Sequence, residues 1–455
     1  MGMDMTRQER LKKHPRMVTT RGERWAWYFY DFGNSAYAAV VLLAVYSAYF
    51  KQSVVGGAEG SRLWGISIGI AMLVVAVLSP LLGALADFSS TKKRLLAIFT
   101  AMACIFTALL FFVGKGDIFL GMLFFILAEI GYRSGQVFYN ALLPDIATPE
   151  EMSHVSGTGW AIGSMGGIVC LIIVLGLILG LGHGDPVRVA FLSRVAFLIT
   201  AVFYALSTAP IFIFLRERTR PQPLPAGENY ISISIKKLVN TFKNARKFKD
   251  FMNFLLAFLV YNHGIMIALD FASIIGVVLF NLNQKQLIIF MIIVQVTSVI
   301  GAYVFGKIAH WLGSKWTMIL AVFLMIITVS LLFFVDSLMV FYIIGAIAGF
   351  TLTAVQSFSR TVVGQLAPEE QAAEFYGLFS LASQISNFIG PALYCVVVLW
   401  LSNLYMKSGL QEIPAEQHSQ RLAISIMVIF LTAGMLLLLR VKSWKRPESE
   451  PERGD

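Results

Sequence analysis

The feature that most constrains this chain is a succession of apolar runs, each long enough to cross a bilayer. They lie at about 26–50, 63–86, 95–113, 118–140, 157–181, 190–215, 251–280, 287–308, 316–335, 339–362, 375–401 and 420–440. About 20 apolar residues wound as a helix span the hydrocarbon core. Twelve such runs in 455 residues specify a polytopic helical membrane protein. Composition agrees: only 14% of residues are charged, against about 25% in soluble domains.

Most connections between the runs are short. The exception is 216–250, which holds Pro221, Pro223 and Pro225 followed by a basic stretch. It divides the chain into a basic N-terminal segment (1–24), a six-helix half (25–215), the central loop (216–250), a second six-helix half (251–440) and a tail (441–455). Within the loop, Ile235, Leu238, Val239 and Phe242 share one helical face beside lysines. That pattern fits either a helix lying on the membrane surface or a solvated linker helix.

The formal net charge of +10 raises the question of nucleic acid. The basic residues instead fall mostly on alternate loops. If the N-terminus is cytoplasmic, 27 of the 36 lysines and arginines fall on that side. The positive-inside rule then places both termini in the cytoplasm. No nucleic-acid partner is expected. Cys104, Cys170 and Cys395 all lie within apolar runs and have no disulfide or metal spacing.

The halves repeat one another. Gln136, Phe138, Ala147 and Gly157 recur 220 residues later as Gln356, Phe358, Ala367 and Gly377. Gly83 and Lys92 recur 223 residues later as Gly306 and Lys315. Two parallel six-span repeats form a transporter architecture with its site at the midplane.

The loop GALADFSSTKKRL, Gly83 to Leu95, resembles the signature loop of the major facilitator superfamily. Gly83, Leu85, Asp87 and Lys92 match it. The second-half copy, GKIAHWLGSK, keeps Gly306, Gly313 and Lys315 and places His310 where the acid would stand. Glycine permits close helix approach, and an acid at a helix start meets its positive end. A narrower resemblance rests on WYFYDFGNSAY in span one, VFYNALLPDIATPEEMSHVSGTGWAIG after span four and FLLAFLVYNHG in span seven. These are similar to the Unknown Major Facilitator family, which includes the autophagy-related vacuole effluxers. The resemblance implies the major facilitator fold, with spans one, four, seven and ten around the cavity. It implies amino-acid efflux for vacuolar relatives. Many relatives carry an acid in span seven where this chain has His263. The resemblance also implies gating roles at Gly83, Asp87, Lys92, Gly306, His310 and Lys315; Arg360, near the cytoplasmic end of span ten, is expected to share in gating.

Charged groups deep in the spans are few: Asp31, Glu129, Arg133 and Asp270, with His263 as a further titratable group. A carboxylate at membrane depth costs about 3 kcal/mol, so it faces a cavity or a partner. Glu129, Arg133, Gln136 and Asn140 make one polar stripe along span four. Glu129 and Arg133 are spaced to pair along the helix, and an Asp31–Arg133 pair is geometrically possible. One reading has these ions only fixing helix packing; the other has them bind substrate or ion. Two readings of Asp270 also stand: a site residue on the His263 face, or a solvated residue at the outer mouth. Gly159, Gly163 and Gly167 suit close packing of span five. Trp25, Trp27, Tyr28 and Tyr30 read as an interfacial anchor.

The expected substrate or ion site is therefore Asp31, Asn34, Glu129, Arg133, Gln136, Asn140, His263, Asp270 and Gln356. The expected function is secondary transport of a small polar metabolite, an amino acid being the best candidate, with protons as a coupling ion. A lipid or amphiphile exporter of the same fold is the rival within transport. A receptor or scaffold and an integral-membrane enzyme are rivals from other classes. No catalytic group, cofactor or metal is expected, nor a phosphate loop for ATP. The chain is expected to act as a monomer among membrane lipids, in the inner membrane of a prokaryote or the vacuolar membrane of a eukaryote.

Overall fold

The computed structural model describes residues 19–88, 91–147, 152–182, 185–218, 232, 236, 239, 242–243, 245–367 and 372–441. Among them, all regular structure is helical. Twelve helices are long and apolar enough to span a bilayer: α1 (Arg21–Val55), α2 (Glu59–Leu78), α3 (Lys92–Phe112), α4 (Ile118–Ala141), α5 (Gly157–Gly182), α6 (Pro186–Phe214), α7 (Lys249–Phe280), α8 (Gln284–Ala309), α9 (Trp311–Leu331), α10 (Leu338–Leu366), α11 (Phe375–Lys407) and α12 (Glu412–Leu439). The surroundings of Gly83, Asp87 and His310 lie outside the described residues, as do Ile235 and Leu238 of the expected amphipathic face.

α1 opens with a capping box in which Thr20 and Glu23 satisfy each other's backbone donors. It leaves α geometry twice, becoming π-helical over Ala38–Ala44 and over Phe50–Val55. π turns re-aim the side chains that follow and gather at functional sites. The second π segment carries Lys51, which is buried. α1 packs on α5 and α6. Gly166 of α5 permits that approach, since a Cβ there would lie 2.0 Å from the Phe32 carbonyl oxygen. Without a hydrophobic drive between helices in lipid, such backbone proximity supplies the van der Waals contact.

The first six helices pack mainly with one another, as do the last six. The two groups meet along α2–α11, α5–α8 and α1–α7. This is the arrangement expected of two six-helix repeats. α8 and α9 run on from one another with a break at Gly313, whose φ of 75° favours glycine. Gly306, by contrast, has open space around it, so it is not there for close packing.

Two expectations are corrected. α12 begins at Glu412, well before 420. Its first turns look like loop because they are polar. Glu416 bonds Lys51, Gln417 donates to the Val278 carbonyl and Gln420 accepts from Tyr394, so these polar groups are satisfied inside the bundle. The aromatic anchor is also reduced. Trp25 is exposed, but Trp27, Tyr28 and Tyr30 are buried. Trp27 stacks on Tyr139 at 4.3 Å and donates its indole N–H to the Tyr139 carbonyl.

A polar cluster between the halves

Glu129 sits at the centre of the polar stripe on α4 and is fully buried. Both its oxygens are engaged: Oε1 accepts from Arg133 Nε at 2.7 Å, and Oε2 accepts from the Tyr37 hydroxyl at 3.0 Å. The i,i+4 spacing makes the first bond possible. Tyr37 comes from α1 and also packs its ring on Tyr132 at 4.7 Å. Arg133 retains 18% side-chain exposure. Further along, Gln136 is half-buried and Asn140 exposed. The stripe therefore opens progressively toward the end of the bundle where α1 begins and α12 finishes, here called the terminal end.

The Asp31–Arg133 pair does not form. Glu129 on the same helix as Arg133 takes the guanidinium at lower entropic cost. Asp31 instead accepts a long bond of 3.4 Å from Asn34 Nδ2. Its carboxylate rests against Gly163 of α5, where a Cβ would lie 2.6 Å from Oδ2. Gly163 thus makes room for the acid, beyond the helix packing expected of it. Asn34 is buried and accepts from Tyr204 at 3.4 Å. Asp31 remains partly exposed. Tyr132 lies within electrostatic reach of Asp31, Glu129 and Arg133, which places these groups around one space.

The second half contributes from α7 and α10. Asp270 is only 4% exposed, which rules out the solvated outer-mouth reading. It lies within electrostatic reach of Arg133 and Glu129 across the interface, without an ion pair to either. His263, its expected neighbour, stacks on Phe430 of α12 at 5.0 Å, and its Nδ1 bonds the Leu259 carbonyl. It packs helices together within the second half. Gln356 donates to Asn262 at 3.2 Å. Arg360 is exposed toward the terminal end and exerts its charge on Asp31 from the opposite half.

Several cross-half bonds escaped sequence reasoning. Lys51 Nζ bonds Glu416 of the other half at 2.6 Å, and also Ser61 Oγ of its own half at 2.6 Å. The Ser47 and Ser273 hydroxyls are 2.8 Å apart. Gln52 donates to the Leu282 carbonyl and Gln284 to the Ala44 carbonyl. Lys51 falls just beyond the 26–50 apolar run and so reads as loop. The recoverable signal was Glu412, Glu416 and Gln420 at helical spacing. Every one of these bonds lies at the end away from the termini, the far end. No side-chain hydrogen bond joins the halves at the terminal end among the described residues.

A cavity of about 120 Å³ opens at the far end, lined by Tyr394, Cys395, Ser402, Glu412, Glu416 and Gln420 among others. It belongs to the α2–α11–α12 seam rather than the central cluster. At the terminal end, Lys92 lies 3.7 Å from Asp145, which also accepts the Arg218 backbone N–H. Arg218 pairs with Glu23 at 2.7 Å. Lys315 donates to the Val441 carbonyl, so the two signature lysines hold different partners. Among the described residues, no group of three or more His, Cys, Asp or Glu is placed to hold a metal.

Comparison with known proteins fits this geometry. The profile of the vacuole effluxer Atg22-like family matches residues 63–447. The uncharacterized MFS-type transporter YxiO of Bacillus subtilis is 28% identical over 82% of this chain and 87% of its own. Autophagy-related protein 22 of Yarrowia lipolytica is 23% identical, over 75% of this chain and 71% of its own. A bacterial homologue of the human lysosomal transporter Spinster, inward-facing and unoccupied, superposes with a TM-score of 0.64 at 15% identity, covering 92% of this chain and 95% of that one. The nucleoside transporter NupG superposes with a TM-score of 0.65 at 14% identity, covering 91% and 99%. At such identities the structures share the fold alone. The chain belongs to the vacuole effluxer Atg22-like family and is a multi-pass membrane transporter of the major facilitator type.

Proposed function

We propose that this transporter moves a small zwitterionic metabolite, an amino acid being the best candidate, by alternating access between its two halves. The supporting observation is where the halves are bonded among the described residues. Side-chain bonds between the halves gather at the far end, while Arg133 and Gln136 are partly exposed and Asn140 and Arg360 fully exposed toward the terminal end. In this reading both termini are cytoplasmic, and the conformation opens to the cytoplasm. Arg133 receives the substrate's anionic group, a charge-assisted contact suited to a guanidinium. Glu129 has no free oxygen, so it positions Arg133, and the partly exposed Asp31 meets the cationic group. Asn34, Gln136, Asn140 and Gln356 complete the polar lining. Asp87, Lys92, Lys315 and Arg360 serve the change of state, and the protein acts as a monomer.

The test is counterflow of labelled L-amino acids into proteoliposomes holding the purified protein. Exchange of at least one is expected, with loss in Asp31→Asn and Arg133→Gln variants that still fold. Wild-type protein that exchanges none of the panel sinks the substrate class. For orientation, a cysteine at Ser408 should react with an impermeant maleimide from outside the cell.

A further inference from the structure

We propose that the far-end cavity between α2, α11 and α12 binds a small amino alcohol, and holds it only while the two halves are joined there. The site stands on the cavity itself; its effect on transport rests on the alternating-access reading.

The cavity measures about 120 Å³. A water takes about 10–15 Å³ of such space, so there is room for roughly eight waters or an organic molecule of about seven heavy atoms. The inner end is buried and incompletely bonded. Glu416, with 5% of its side chain exposed, gives Oε1 to Lys51. Among the described residues, no donor meets its Oε2. Gln420, 1% exposed, takes the Tyr394 hydroxyl on Oε1, and its Nε2 has no acceptor among the described residues. Buried polar groups are ordinarily satisfied, and both side chains line the cavity.

The two open atoms define the ligand. Glu416 and Gln420 stand one turn apart on α12, with Cβ atoms about 5–6 Å apart. An ammonium and a hydroxyl on neighbouring carbons therefore reach both. The ammonium donates to Glu416, and the hydroxyl, donor and acceptor at once, suits the amide. Charge agrees. Glu59, Arg62, Glu412 and Glu416 line the cavity, and Arg62 already pairs with Glu59. With Lys51 included, three carboxylates face two cations, which leaves one negative charge to be met. Phe271 and Tyr394, whose rings pack 4.7 Å apart, also line it, and aromatic rings favour a nearby cation. Val398 and Leu399 offer contact for an apolar body.

The walls come from both halves. α2 brings Glu59, Ser61 and Arg62, while α11 and α12 of the other half bring most of the rest. Gly65 lets them meet, since a Cβ there would lie 2.1 Å from Cys395 Sγ. Separation at the far end dismantles the site. A bound amino alcohol therefore favours the joined state by its own binding free energy. It slows the transport cycle from a place apart from the central cluster.

The experiment is thermal unfolding of the purified full-length protein at neutral pH, titrated with L-valinol. The control is the corresponding diol, which has a hydroxyl in place of the ammonium. Valinol should give a saturable rise in melting temperature and the diol none. The response should vanish in the double variant Lys51→Met, Glu416→Gln, which removes the carboxylate without leaving a buried lysine unpaired. It should also vanish in Ser402→Phe, which fills the cavity and keeps the test decisive if the double variant does not fold. Asp31→Asn should respond as the wild type does. Loss of the response in Asp31→Asn would place valinol in the central cluster and overturn the site. An equal rise with the diol, a response retained in Ser402→Phe, or no saturable rise in the wild type also overturns it. In proteoliposomes, saturating valinol should slow amino-acid counterflow by the wild type; undiminished counterflow overturns the preference for the joined state. If no amino acid exchanges at all, the substrate reading falls, while the thermal titration still decides the site.

Discussion

Lys51 of α1 and Glu416 of α12 form a buried ion pair across the two halves, Nζ to Oε1 2.6 Å, with side-chain exposures of 8% and 5%. Ser61 Oγ and the Gly57 carbonyl take further donors of the same ammonium at 2.6 and 3.3 Å. The lysine therefore has full hydrogen-bonding in this state, and opening the far end would strip its carboxylate away.

Neutralising one partner should cost more than neutralising both. A buried charge left alone typically costs 3–5 kcal/mol, whereas replacing a whole pair is often close to neutral. Lys51→Met and Glu416→Gln are each expected to lower thermal stability in detergent and expose the far end to impermeant thiol reagents. The double variant should recover most of the stability. Additive losses would show that the pair does not lock the halves.

The same reasoning applies to α4 with a different expected result. Arg133→Gln leaves Glu129 fully buried with only the Tyr37 hydroxyl, at a cost of about 3–5 kcal/mol. Combining it with Glu129→Gln should restore stability but not transport, because the substrate's anionic group has lost its guanidinium. A double variant with wild-type counterflow would make the pair purely structural.

Gly163→Ala should impair transport while leaving the helix intact. Alanine is a better helix former than glycine. Its Cβ would nonetheless stand 2.6 Å from Asp31 Oδ2 and displace the carboxylate. Gly157→Ala, where nothing lies within 4 Å, is the control and should be neutral. Equal counterflow by the two variants would show that the position of Asp31 is unimportant.

Much of this architecture was legible before any coordinates. Apolar run length is a local property, so the twelve helices followed from it. The Glu129–Arg133 bond followed from helical spacing. The repeats anticipated two halves. Other relationships join residues far apart in the chain and leave no local trace. Lys51 reads as the first loop residue after span one, because the π segment that turns it inward is invisible in composition. Glu416 looked like loop because its polar neighbours hid the start of α12. His263 shares a face with Asp270 by spacing, yet the packing of α12 gives it Phe430 as partner. Depth alone allows an Asp31–Arg133 pair, but an acid four residues away on the same helix wins that cation.

The last prediction uses the closest hydroxyl pair across the interface. Ser47 of α1 and Ser273 of α7 are both buried, with their Oγ atoms 2.8 Å apart. Replacing both by cysteine puts two sulfurs where small rotamer changes reach the disulfide length of about 2.05 Å. Oxidation should then fasten the halves together at the far end. In an alternating-access transporter that link holds one state, so counterflow should stop and return on reduction. A cysteine at the exposed Asn140 gives a readout independent of substrate. It should stay reactive from the terminal side in the locked protein, because that end is already open. The single variants Ser47→Cys and Ser273→Cys should respond to neither oxidant nor reductant. A protein shown by mass spectrometry to carry the cross-link, yet exchanging substrate at the reduced rate, would mean that the halves do not separate at the far end during transport.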